Sequence, residues 1–128
     1  MNATISKNEI AVSYSSRPDV GDYLTIQCPN GWDDVQKLTY TFAYNDIQSV
    51  MDSITDRTAC IILEPLVFEE PKNNFLQALR RVCDERKIVL IFDEMWTGFR
   101  IALGGAQERY SVRADLACFS KAVANGMP

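Results

Sequence analysis

From residue 38 onward, apolar positions alternate between helical and strand-like spacing. Ile47, Val50, Met51 and Ile54 recur at i, i+3, i+4 and i+7, one stripe of a helix, and Asn45 is placed to cap its start. Ala59 to Leu63 is an unbroken apolar run closed by Glu64-Pro65, which predicts a strand covered on both faces. A second helical stripe carries Phe75, Leu76, Leu79, Val82 and Cys83, with Arg80, Arg81 and Arg86 toward the end where the helix dipole favours cations. Ile88 to Phe92 is another unbroken run, ending in Asp93-Glu94. Strand, helix, strand with short connections is a βαβ unit, so an α/β fold is expected, with a mostly parallel sheet flanked by helices. Leu116 to Phe119 adds a further apolar segment that leads directly into Ser120-Lys121.

The first third is less regular. Glu9 to Tyr14, Tyr23 to Cys28 and Leu38 to Tyr44 are rich in β-branched and aromatic residues and read as short strands, punctuated by Pro18, Gly21, Pro29 and Gly31. Ser15 to Asp22 reads as a turn or exposed loop.

The expected topology bears on chemistry. Ligands of open parallel sheets bind outside the carboxyl ends of the strands. Glu64 and Asp93-Glu94 follow two such ends and Lys121 a third, which puts a lysine and an aspartate on one rim. A solvated lysine and a strand-end acid capping a turn are the ordinary readings of these residue types, and spacing alone does not set them aside.

Composition narrows the field. The chain has 128 residues, enough for a single domain, and its 47% hydrophobic and 23% charged content is that of a globular protein. A net charge of −4 and a pI near 4.8 argue against life on phosphate backbones. There is no histidine, which excludes His-based nucleophile pairs and His-ligated zinc built from this chain. Cys28, Cys60, Cys83 and Cys118 form no C-x-x-C pair and are expected as reduced, mostly buried thiols of a cytoplasmic protein. Lys7 and Glu9 interrupt any secretory signal, and no apolar run approaches a membrane span.

The segment from Ile91 to Arg100, Ile-Phe-Asp-Glu-Met-Trp-Thr-Gly-Phe-Arg, closely resembles the D-E-V-x-T-G-F-R signature of class III, pyridoxal-phosphate-dependent aminotransferases. Ala102-Leu103-Gly104-Gly105-Ala106-Gln107 resembles the matching stretch of glutamate-1-semialdehyde aminomutases and their sugar-aminotransferase-like relatives. Ala114-Asp115-Leu116, then Phe119-Ser120-Lys121-Ala122 and Asn125-Gly126-Met127-Pro128, is similar to the lysine motif of the family. Tyr44-Asn45-Asp46 and Glu64-Pro65 fall in family order. The resemblance spans about Phe42 to Pro128, while residues 1 to 41 match weakly.

The resemblance implies part of a fold-type-I large domain, with pyridoxal 5'-phosphate as cofactor. It puts the Schiff-base lysine at Lys121, where the amine also acts as catalytic base, and the partner of the protonated pyridine nitrogen at Asp93. Met95 takes the place of a branched apolar residue against the cofactor ring. Trp96 departs from the glutamine of many ω-aminotransferases, which weakens a reading as a typical ω-amino-acid transaminase. Glu69 falls where some relatives carry a substrate-facing residue, with an exposed acid as the ordinary alternative. Glu64 reads as structural rather than catalytic, and Arg100 as a fold-stabilising ion pair rather than a substrate ligand. Gly104-Gly105 lacks a following helix signature and supports no phosphate cradle.

Missing from the resemblance are the glycine-rich phosphate-holding helix start, the aromatic residue that stacks on the ring, and the small domain. The chain thus reads as a central piece of a large domain, and the family works as dimers. Two functions stay open. One is an aminotransferase or aminomutase segment acting on an amino acid, semialdehyde or keto sugar. The other is an inactive remnant or interaction module that keeps the family's sheet core.

Overall fold

The computed structural model describes residues 9–14, 38–66 and 68–124. The apolar runs become strands and the periodic stretches become helices. In chain order these are β1 (Glu9–Tyr14), β2 (Thr39–Ala43), α1 (Ile47–Ser53), β3 (Thr58–Leu63), α2 (Phe75–Arg86), β4 (Val89–Asp93), α3 (Gly105–Tyr110) and β5 (Leu116–Cys118). A 3₁₀ turn, Lys121–Ala124, follows. The expected strand Tyr23 to Cys28, the loop Ser15 to Asp22, Cys28, and the motif tail Asn125 to Pro128 lie outside the described residues.

The strands form one five-stranded sheet among the described residues, in the order β2-β1-β3-β4-β5, with every pairing parallel. Parallel neighbours need crossovers, and α1 and α2 supply them on either side of β3. Ile61 and Leu63 of β3 and Leu90 and Phe92 of β4 join Val50, Phe75, Leu76, Leu79 and Cys83 in a single buried cluster. Burial alternates along β4, with Val89 exposed and Ile91 partly covered. The expectation of strands buried on both faces is therefore corrected: the helices close one face, and the other is half covered among the described residues.

Local chemistry sets the element ends. The cap of α1 is Asp46, not Asn45: Asp46 Oδ1 accepts from Gln48 N (2.9 Å) and Ser49 N (3.1 Å). Asn45 adopts a left-handed φ of 64°, a region asparagine tolerates, and its side chain turns to the loop after β3 instead. There Asn45 Nδ2 donates to the Glu70 carbonyl (3.1 Å) and Oδ1 accepts from Lys72 N (2.8 Å). At the far end of α2, Lys87 turns left-handed and Ile88 N donates to the Cys83 carbonyl (2.9 Å), which redirects the chain into β4. A short helix does follow Gly104, contrary to the sequence reading. Gly105, at φ 65°, gives the chain the turn it needs there.

The cysteines divide. Burial pushes the Cys83 thiol up to about 12 and also raises the half-buried Cys60, whereas Cys118 is exposed on β5. The expectation of mostly buried thiols thus holds for Cys83 alone among those described. An edge strand keeps one side of its residues open, which is why Cys118 is not covered.

Asp115 ties that edge to the core. Its Oδ2 accepts from Leu90 N (2.7 Å) and from Arg80 Nη1 (2.9 Å), and Arg80 also pairs with Asp84 (2.8 Å). Desolvation alone would raise the Asp115 carboxyl, but the Leu90 hydrogen bond and the Arg80 guanidinium together hold it below its ordinary 3.8. A depressed folded value means that Asp115 contributes stability above pH 3.8 and loses it as the pH falls through the lower folded value. Acid unfolding of the chain is expected to steepen in that window, and Asp115→Asn is expected to flatten it. Equal acid slopes for the two proteins would reject this linkage.

Candidate active site

Three neighbouring strand ends build one rim. Leu63 pairs with Phe92, so Glu64 and Asp93 leave the sheet side by side at the carboxyl ends of β3 and β4. Asp93 pairs with Cys118, and Phe119, Ser120 and Lys121 continue past the end of β5. The charges of both Asp93 and Lys121 are felt at Glu64. Burial raises the Glu64 carboxyl first, Asp93 raises it further, and Lys121 acts in the opposite direction.

Each side chain on the rim is held by its neighbours. Asp93 Oδ1 accepts from Met95 N (3.0 Å), an Asx-type turn that occupies one carboxyl oxygen and fixes the rotamer. Met95 is partly buried on the same turn. The Lys121 ammonium lies 4.5 Å from the centre of the Trp96 ring, and the Arg100 guanidinium lies 5.6 Å from that centre, both within cation–π range. Arg100 therefore packs on an indole, and among the described residues it has no ion pair of the kind expected. Lys121 starts its turn at φ 48° and Phe99 sits at 62°, left-handed backbone that bulky residues rarely accept.

A buried acid supports this rim from below. Glu94 is fully enclosed, and its carboxylate accepts from Thr97 Oγ1 (2.7 Å), Ala106 N (2.7 Å), Gln107 N (3.3 Å) and Gln107 Nε2 (3.3 Å). Those donors include the first amides of α3, so Glu94 fills the place an outside anion would take. Gly104 N is likewise spoken for by Glu108 Oε2 (2.6 Å). These amides are thus taken up by carboxylates of the chain itself. Gln107 Oε1 in turn accepts from Ala114 N (3.1 Å), linking the anchor to the segment that enters β5. Gly98 completes the support: a Cβ there would stand 2.6 Å from Phe119 Cδ1 and 2.9 Å from the Glu94 carbonyl, so only glycine lets the Phe119 ring settle.

Glu69 lies on the loop beyond β3. Its carboxylate pairs with Lys72 (2.6 Å), and the Lys72 hydrogen bond, against a small opposing desolvation, holds it below the usual carboxylate value. Among the described residues it makes no bond or ion pair with Asp93 or Lys121. The same loop is pinned by Glu70, which pairs with Arg109 (2.8 Å) and accepts from the Tyr110 hydroxyl. The structure thus gathers Asp93, Met95 and Lys121 on one rim and leaves Glu69 on a flanking loop. Sequence reasoning gave no role to Glu94 or to the indole contact of Trp96. The signals were Thr97, three residues past Glu94, and the glycine pair that precedes its amide donors.

The donor set fits the ring of a pyridine aldehyde cofactor. An acid and an amine stand at adjacent strand ends, and beside the acid lies the buried Oε2 of Glu64, which has no hydrogen-bond partner among the described residues.

Comparisons agree in kind. The family described as Aminotransferase class-III matches residues 1–128. A glutamate-1-semialdehyde 2,1-aminomutase of Syntrophobacter fumaroxidans is 36% identical over 155 residues, covering 98% of this chain and 36% of that protein. A solved transaminase with PLP bound superposes with a TM-score of 0.79 at 23% identity, over 97% of this chain and 33% of the other. A glutamate-1-semialdehyde aminomutase from Pseudomonas aeruginosa PAO1, in complex with PMP, gives 0.77 at 17% identity, over 97% and 31%. At such identities the superpositions establish the fold, a parallel α/β sheet shared with these enzymes. The chain spans about a third of the length of the relatives it matches.

Proposed function

This chain belongs to the class-III aminotransferase family, and from that premise we propose that it carries the lysine and aspartate of a pyridoxal 5'-phosphate site that moves an amino group. The observation that supports this most is that Asp93 and Lys121 leave adjacent strands at one rim, where the charges of both reach Glu64. When bound, the cofactor supplies an electron-accepting ring that steadies negative charge at the substrate's α-carbon. Asp93, one oxygen held by Met95 N, would partner the ring nitrogen. Lys121 Nζ would hold the cofactor through its aldehyde and would be the base that moves a proton at the substrate's α-carbon. Met95 would lie against the ring. Trp96 keeps Lys121 Nζ at the rim. Glu69, paired with Lys72 on the loop beyond β3, would face the substrate side.

The likeness to an aminomutase supports an amino acid or semialdehyde as substrate, with a keto sugar as the remaining class. A homodimer in the cytoplasm, with this chain as part of the large domain, completes the proposal. No helix among the described residues is long and apolar enough to cross a membrane. The occupied amides at the start of α3 favour a second reading, an inactive module that keeps the sheet. Transamination by this chain at saturating cofactor would remove that second reading.

The direct test is chemical. The protein is mixed with the cofactor, its visible absorbance is recorded, borohydride is added and the peptides are mapped. The reduced label is expected on Lys121. A label on another lysine, or none, rejects the assignment.

A further inference from the structure

The proposed chemistry employs Asp93 and Lys121 and leaves Glu64, at the strand end next to Asp93, without a task. The parallel register sets Glu64 beside Asp93 at the end of the neighbouring strand. Its Oε2 is buried and has no hydrogen-bond partner among the described residues. An anion there gives up the hydration of Oε2 and receives no donor from the described residues, a larger loss than a neutral acid suffers. The neighbouring charges pull in opposite directions: Asp93 opposes ionisation and Lys121 favours it. Burial is the largest influence, and the balance lies on the neutral side of an ordinary glutamate.

We propose that Glu64 is a positioning residue of this site, a neutral carboxylic acid that stands as a hydrogen-bond donor beside Asp93 and leaves Asp93 as the anion presented to the cofactor's ring nitrogen. This rests on the reading of Asp93 and Lys121 given above. An ionised Glu64 would act differently. It would set a second negative charge against Asp93 and compete for the Lys121 ammonium. A neutral Glu64 does neither, and it leaves no uncompensated negative charge on the buried oxygen.

Carbon-13 NMR of the side-chain carboxyls in the full chain, without cofactor, tests the protonation state. The Glu64 midpoint is expected above the ordinary 4.5 and is expected to move down in Asp93→Asn, because the neighbouring anion is gone. A Glu64 carboxyl that is already ionised at neutral pH, or a midpoint indifferent to Asp93→Asn, overturns the proposal. The positioning role is read with cofactor present, from the pH profile of the visible absorbance and from cofactor retention. Glu64→Ala is expected to weaken retention about tenfold and to shift the profile. Glu64→Gln, neutral and a donor, is expected to restore both, and failure of that rescue also overturns the proposal. If Glu64→Ala does not fold, the wild-type titration still decides. Absence of a borohydride label on Lys121 defeats the cofactor reading itself. A labelled Lys121 with an ordinary Glu64 midpoint defeats only the present inference.

Discussion

Substituting Lys121 by alanine is expected to abolish the borohydride-stable label and to slow amino transfer by on the order of 10²–10⁴-fold, the range a positioned proton-transfer group supplies. The expectation follows from placement. Lys121 leaves the sheet just past β5, and β5 pairs with the strand that ends in Asp93. Other lysines among the described residues are elsewhere: Lys72 is paired with Glu69 on its loop, and Lys87 caps α2. Neither can take over the position. Lys121→Arg separates charge from chemistry, because a guanidinium keeps the cation over Trp96 but is no nucleophile at neutral pH. That variant is expected to fold like the wild type and to show no label. A half-reaction rate in Lys121→Ala within a few-fold of wild type would reject the role given to this amine.

Gly105→Ala is expected to be the most damaging small substitution in the structure, costing about 3 kcal/mol or more. The backbone there is left-handed at φ 65°, which costs a side-chain-bearing residue roughly 1–2 kcal/mol. The added methyl would also fall within the Glu94 carboxylate. Glu94 cannot retreat without breaking its bonds to Thr97, Ala106 and Gln107, and stranding buried polar groups adds about 1–3 kcal/mol. Urea unfolding monitored by circular dichroism gives the measurement. The midpoint should fall while the slope with denaturant stays constant, the mark of lost stability rather than of a changed ensemble. A loss below about 1 kcal/mol would show that the Glu94 anchor gives way freely.

Much of this architecture is written locally, and what is not has a common cause. The stripe at Ile47, Val50, Met51 and Ile54 reports α1, because a helix's apolar face depends only on residues three and four apart. The runs before Glu64 and Asp93 report β3 and β4 in the same way. The cap of α1 is misread by one residue. Asn45 and Asp46 are equally good caps, and the choice is made by bonds from Asn45 to Glu70 and Lys72, more than 20 residues away. Helix α3 has six residues and Ala106 as its buried apolar side chain, too little for any periodicity to register. Its start is specified instead by a carboxylate 12 residues upstream. The rim is legible as three strand ends, since parallel topology alone aligns them. The contact of Lys121 with Trp96 joins the exits of two different strands, and no spacing along the chain encodes it.

The Phe119 ring resting on the Gly98 backbone has a consequence for tolerance to motion. Phe119 precedes Lys121 by two residues, and Gly98 follows Asp93 by five. The backbone turns that follow the acid and precede the amine are thereby held against each other, so any side chain added at position 98 would push the two exits apart, like a pebble set in a hinge.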